Sequence, residues 1–158
     1  MKILVYLNFK MNEESLYLES VELLKELISI QSFSFHEENT ATILENWLNK
    51  NSIPFKRHVN NVYCYNKYYN EEKPNILLNS HHDTVEPNDS YTNDPYEPIV
   101  EQGKLYGLGS NDAGASLVSL LSTFKFFYDC KNLNYNLIFL ASAEEEKSGK
   151  NGIKSVIP

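Results

Sequence analysis

Arginine is almost missing from this sequence: Arg57 is the only one, and the 14 basic residues face 21 acidic ones for a formal charge of −7. A nucleic-acid-binding surface needs a basic stripe, usually rich in arginine, so that class of function is excluded. Cysteine is scarce as well. Cys64 and Cys130 lie far apart without a CxxC spacing, which gives no sign of an oxidising compartment and reads as two reduced, structural thiols in a cytoplasmic protein. Glycine and proline are few, six of each, which excludes collagen-like and low-complexity chains. The opening MKILVYLNFK is too short to span a membrane and carries no small-residue cleavage site, so neither an anchor nor a signal peptide is expected; Met11 is an alternative start.

What remains is an ordinary globular composition, 42% hydrophobic over 158 residues, one domain's worth of chain. From Asn12 onward Leu16, Val21, Leu24, Leu27 and Ile28 recur at helical spacing, with Asn12 as the N-cap. Ser34-Phe35-His36-Glu37 has the form of a capping box ahead of a second helix bearing Ile43, Leu44, Trp47 and Leu48, which Pro54 stops. Residues 55–66 read as a hairpin around Asn60-Asn61, and Gln102-Gly103 turns another. NILLNS at 75–80 and LIFLA at 137–141 have the form of strands buried on both faces. Between them a helix carries Leu117, Leu121, Phe124 and Tyr128, and residues 149–157 open a last one. The alternation predicts an α/β fold with a mostly parallel mixed sheet, flanked by helices on both sides.

Each of the two buried strands hands over to side chains of metal-binding type. His81 and Asp83 follow the first at a spacing of two, so they project to one face of an extended chain while His82 points away. A carboxylate there can take an imidazole N–H and make the other nitrogen a better ligand. Glu144, Glu145 and Glu146 follow the second strand; three like charges in a row repel unless a cation or a proton relieves them. Asp112 stands after Gly107 and Gly109 at the start of a helix, either as a first-turn carboxylate favoured by the dipole or as one held rigidly enough to bridge two cations. Each group alone has a plain reading: a satisfied strand-end polar residue, a helix cap, a solvated charge run. Together they fall where an α/β sheet places its ligands, beyond the carboxyl ends of the strands. Histidine plus carboxylates suits zinc, cobalt or manganese, and a non-ligating glutamate can act as a base.

The segments LLNSHHDTVEP, GLGSNDAGASLVSLL and LASAEEEKSGKNGI, in that order over residues 77–153, resemble the three N-terminal motifs of the acetylornithine deacetylase, succinyl-diaminopimelate desuccinylase and carboxypeptidase G family of co-catalytic zinc hydrolases. The resemblance implies a zinc-exopeptidase-like catalytic domain and two divalent metal ions, zinc first, with cobalt or manganese as alternatives. It implies His81 as ligand to one metal, Asp83 as its orienting carboxylate, Asp112 as the bridging ligand, Glu145 as general base and Glu146 as ligand to the second metal. Glu144 stands where the family often has Asp. GLGSNDAG and AEEEKSGKNGI look most like the acetylornithine deacetylase branch, which implies deacetylation of N-acetylornithine in arginine biosynthesis; desuccinylase and metallo-dipeptidase or carboxypeptidase activities are the enzymatic alternatives. The implied partner is a small N-acyl amino acid, with no nucleic acid and no membrane.

Members of that family run to more than twice this length. The expectation is that residues 1–158 form the N-terminal portion of the catalytic domain, without the lid or dimerisation domain and the C-terminal half, so that a homodimer is expected only of a full-length chain. The competing expectation is a truncated, inactive remnant or a non-enzymatic metal-binding or interaction module, with an open sheet edge.

Overall fold

The computed structural model describes residues 13–157; the MKILVYLNFK segment, Met11 and the expected N-cap Asn12 lie outside them. Helix α1 (Glu13–Ile28) buries Leu16, Leu23, Leu24, Leu27 and Ile28, the stripe its periodicity predicts, while Val21 lies at its margin. Helix α2 (Glu38–Lys50) buries Ala41, Leu44 and Leu48. Strands β1 (Phe55–His58) and β2 (Asn61–Tyr65) form the expected hairpin, turning at Val59-Asn60. Strand β3 (Asn75–His81) follows, then a small hairpin of β4 (Ile99–Glu101) and β5 (Lys104–Tyr106). Helix α3 (Ser116–Phe127) buries Leu117, Leu121 and Phe124 as its spacing requires, with Tyr128 as its C-cap, and β6 (Asn136–Ser142) is an interior strand.

The main sheet has the order β1-β2-β6-β3. It is a mixed sheet in an α/β fold, as the alternation predicts, but its parallel share is smaller: β3 pairs with β6 in parallel, and β1-β2 and β2-β6 are antiparallel. A tight turn can join only antiparallel neighbours, which fixes the β1-β2 pair. Val62, Cys64, Leu137, Phe139 and Ala141 project to one face, where the residues of α1, α2 and α3 close over them in a single core. The rings of Phe124 and Phe139, both fully buried, meet there at 6.1 Å between centroids; burial of each such ring contributes about 2–3 kcal/mol. Among the described residues, α1, α2 and α3 all contribute to the core on this one face. Tyr63, Tyr65, Leu77 and Ile138 point to the opposite face and keep part of their surface in solvent.

Two further expectations change. NILLNS is not buried on both faces: among the described residues β3 is an edge strand, Ile76 and Leu77 are exposed, and only Ser80 and His81 at its carboxyl end are buried. The helix expected over 149–157 shortens to a single 3-10 turn, Ile153–Ser155. Residues ahead of it are tied instead to Glu144, whose carboxylate accepts from the Asn151 backbone N–H at 2.9 Å and from its Nδ2 at 2.7 Å. Among the described residues no helix is long and apolar enough to cross a membrane.

Candidate metal centre

Parallel pairing is what brings the two chemical clusters together. In the β3-β6 register His81 lies opposite Ser142, so both strands end at the same edge and their next residues leave side by side. Asp83 follows one strand, and Glu144, Glu145 and Glu146 follow the other. Asp112 reaches the same place from the turn before α3.

The His81 ring is nearly buried, 8% exposed. Its Nδ1 lies 2.9 Å from the carbonyl oxygen of Asp83 and 3.4 Å from Asp83 Oδ1. A carbonyl can only accept, so Nδ1 carries the proton and donates it, leaving Nε2 turned toward the acidic groups. Nε2 is 3.2 Å from Asp112 Oδ1 and 3.7 Å from Glu145 Oε2. Burial works against a charge on His81, but the Asp83 carboxylate and carbonyl, helped by Glu145, outweigh it and push the imidazole up to about 9.

Asp83 is buried, and donors converge on it. Its Oδ2 accepts from Ser34 Oγ at 2.7 Å and from the Glu146 backbone N–H at 3.0 Å, and its Oδ1 accepts from the Glu145 N–H at 3.1 Å. Burial alone raises a carboxyl; here His81, Ser34 and the two N–H groups more than reverse that and hold Asp83 down to about 2. Asp83 therefore touches both halves of the site: the ring of His81 and the backbone of the glutamate turn.

Asp112 is not a first-turn helical carboxylate. Its backbone is extended, at φ −113 and ψ 99, inside the π-type turn Ser110–Ala115, and α3 begins only at Ser116. The chain reaches it through Gly109 at φ +73, where a Cβ would stand 2.7 Å from Thr84 Cγ2, a position that only glycine fills without displacement. The Asp112 side chain is 78% exposed.

The glutamate run divides. Glu144 turns inward at φ +55 and is 3% exposed, holding Asn151 rather than facing His81. Glu145 is exposed and Glu146 half-buried, and both face the ring. Burial, then the neighbouring Asp112 carboxylate, raise Glu146 above the usual carboxyl range. One ligand atom each of His81, Glu145 and Glu146 lies within 4.8 Å of the others. An imidazole nitrogen with its partner N–H fixed, crowded by carboxylate oxygens that repel one another, is a donor set that fits a divalent cation. The five residues singled out in the sequence thus stand in one place: His81, Asp112, Glu145 and Glu146 converge, with Asp83 behind them.

Ser34 and Glu37 are the residues that local reading misplaces. The S-x-x-E pattern predicts a capping box, yet Glu37 is itself the N-cap and makes no side-chain cap bond. Ser34 gives its hydroxyl to Asp83, and Glu37 Oε1 accepts from the Glu144 N–H at 3.0 Å. Their partners lie 49 and 107 residues away, which no local pattern can register. His82 turns away as its alternation predicts: buried, it donates from Nε2 to the Asn60 carbonyl at 2.9 Å and accepts at Nδ1 from Thr40 Oγ1 at 2.9 Å, and burial lowers its pKa.

Comparison with known proteins bears directly on this geometry. Residues 77–158, which include all five of these side chains, match the model of peptidase family M20/M25/M40. The chain belongs to that family. A succinyl-diaminopimelate desuccinylase of a Nitratiruptor species is 26% identical over 139 residues, 87% of this chain and 37% of its own length. Among solved structures, the dipeptidase Dug1p of Saccharomyces cerevisiae superposes with a TM-score of 0.72 at 17% identity, over 91% of this chain and 35% of that one. A dinuclear metal-binding M20-family peptidase of Bacillus subtilis gives 0.67 at 20% identity, over 91% and 39%. These similarities establish the M20 fold, and the chain spans little more than a third of the length of the curated relatives it matches.

Proposed function

We propose that this M20-family chain contributes the N-terminal portion, with part of the metal-ligand set, of an amidohydrolase that removes the acyl group from an N-acyl amino acid. The observation that carries the reading is the convergence of His81 Nε2, Asp112 and Glu145, with Glu146 in the same cluster. His81, Asp112 and Glu146 would hold two divalent ions, with Asp112 between them; zinc leads as the identity, and cobalt and manganese suit the same donors. When bound, such ions supply Lewis acidity and lower the pKa of a coordinated water.

The residues do the rest. Asp83 keeps the His81 ring turned so that Nε2 faces the acidic groups, and its grip on two successive N–H groups holds the glutamate turn. Glu145, the exposed member of the run, accepts the proton of the attacking water and passes it to the leaving amine. The relatives' names favour a succinyl group on diaminopimelate; the GLGSNDAG and AEEEKSGKNGI segments favour N-acetylornithine. We also propose that residues 1–158 correspond to the N-terminal portion of the catalytic domain, the groups that grip substrate coming from polypeptide outside it. The competing reading is a non-catalytic remnant or metal-binding module.

The test is hydrolysis of N-succinyl-diaminopimelate and N-acetylornithine, assayed side by side with added Zn2+ or Co2+ on protein purified from its source cells. Turnover of either, lowered about 10²–10⁴-fold by Glu145→Gln with metal binding kept, supports the reading. Near-normal turnover in that variant removes Glu145 from the role, and no turnover with intact metal binding favours the remnant. Asp112→Ala is expected to lose metal; full occupancy there overturns the bridging assignment.

A further inference from the structure

Glu37 is fully buried, at 0% exposure, and no cation touches its carboxylate among the contacts of the described residues. Three donors do. Oε1 accepts from the backbone N–H of Phe35 at 2.9 Å and of Glu144 at 3.0 Å, and Oε2 accepts from Asn60 Nδ2 at 2.9 Å. A buried, unpaired carboxylate is costly, and this one does not serve as a cap, since Glu37 at the N-cap of α2 makes no side-chain cap bond. The pattern of donors gives the reason. Glu144 leads directly into Glu145 and Glu146. Asn60 accepts His82 Nε2–H on its carbonyl, and His82 sits between His81 and Asp83. One carboxylate is therefore joined to both strand ends that carry the candidate centre. Asn60 is in turn fixed from behind by Arg57, whose Nη2 donates to Asn60 Oδ1 at 2.9 Å.

We propose that Glu37 is a positioning residue of the metal centre, bracing the Glu144–Glu146 turn against the His81–Asp83 segment through Asn60 and His82. The inference rests on the metal-hydrolase reading and adds to it a residue outside the ligand cluster. A glutamine at 37 would keep both backbone N–H groups on its oxygen but turn its NH2 toward Asn60 Nδ2, donor against donor. Flipping Asn60 does not help, because its amide nitrogen would then face Arg57. Exchanging the two groups does: in Glu37→Gln/Asn60→Asp the glutamine NH2 donates to the new carboxylate at position 60, whose other oxygen still accepts from Arg57, and every donor is matched again.

The experiment is Co2+ titration of the full chain, followed by visible absorption, for wild type, Glu37→Gln and the exchanged pair, with thermal unfolding of each metal-free protein alongside. Glu37→Gln is expected to lower Co2+ affinity about 10–100-fold, the range for losing a partner that orients a ligand, and the exchanged pair to recover most of it. A purely structural Glu37 would shift the unfolding midpoint and leave the affinity and spectrum of the folded protein unchanged, which overturns the proposal. If Glu37→Gln does not fold, the exchanged pair decides: a folded pair that binds Co2+ more than about 10-fold more weakly than wild type also overturns it. Wild type that binds no Co2+ refutes the metal-hydrolase reading itself, a different failure from equal binding by wild type and Glu37→Gln.

Discussion

Asp83→Asn removes one negative oxygen from a point where Ser34 Oγ and the N–H groups of Glu145 and Glu146 converge within 2.7–3.1 Å. An asparagine offers one oxygen to these donors and turns its own NH2 against at least one of them, at a cost of about 1–3 kcal/mol for a buried donor left unmatched. The titration of Asp83 gives an independent magnitude. Its folded value of about 2 against 3.8 for a free carboxyl corresponds to about 2 kcal/mol, at 1.36 kcal/mol per unit. Because the folded value is depressed, this stabilisation is present above about pH 4 and is lost as pH falls toward 2. His81, raised to about 9, reports the same ion pair from the other side. Its share is complete below about pH 6.5 and is lost as pH rises through 9, so the two shifts are not summed. Urea unfolding of the metal-free wild type and Asp83→Asn in EDTA is expected to show a gap of about 2 kcal/mol at pH 6, shrinking to about half by pH 3. A gap of the same size at both pH values, or none at pH 6, refutes the reasoning.

Gly149→Ala would set a Cβ 2.0 Å from Glu144 Oε2 and 2.6 Å from Glu144 Cβ, and Glu144 is buried and cannot swing away. The substitution is expected to destabilise by about 1–3 kcal/mol, and unchanged urea unfolding would contradict it. Cys64 is fully buried and free, and burial pushes its thiol up, whereas Cys130 is free and half-buried. Native protein is therefore expected to give a single rapidly reacting thiol with a disulfide reagent, and the second only on unfolding; rapid labelling of both contradicts the burial. Phe124→Ala, at a fully buried ring in contact with Phe139, should cost about 3–5 kcal/mol by urea unfolding.

Periodicity carried the helices. The stripe of α1, the Leu44 and Leu48 pair of α2 and the Leu117-Leu121-Phe124 face of α3 are each buried, because a surface helix must hide whatever apolar stripe it has. The assembly of the site was legible for a different reason: two apolar strands that each end in metal-type side chains meet if they pair in parallel, and β3 and β6 do. What escaped reading depends on neighbours distant in sequence. NILLNS is as apolar as a central strand, and nothing within it records that β6 lies on one side only. Ser34 and Glu37 have the spacing of a capping box, yet their side chains reach Asp83, Asn60 and Glu144. Residue type and spacing alone do not tell Glu144 from Glu145; the resemblance to the family separated them, and the turn at φ +55 shows how the buried Glu144 parts from the groups that face His81.

The central claim is that His81 and the carboxylates beside it form a divalent-metal centre. Its most direct test is isothermal titration of Zn2+ into the metal-free chain and into His81→Ala. Saturable binding by the wild type, weakened at least about 10-fold in the variant, is the predicted result. A wild type that takes up no Zn2+, or a folded His81→Ala that binds it equally well, contradicts the account.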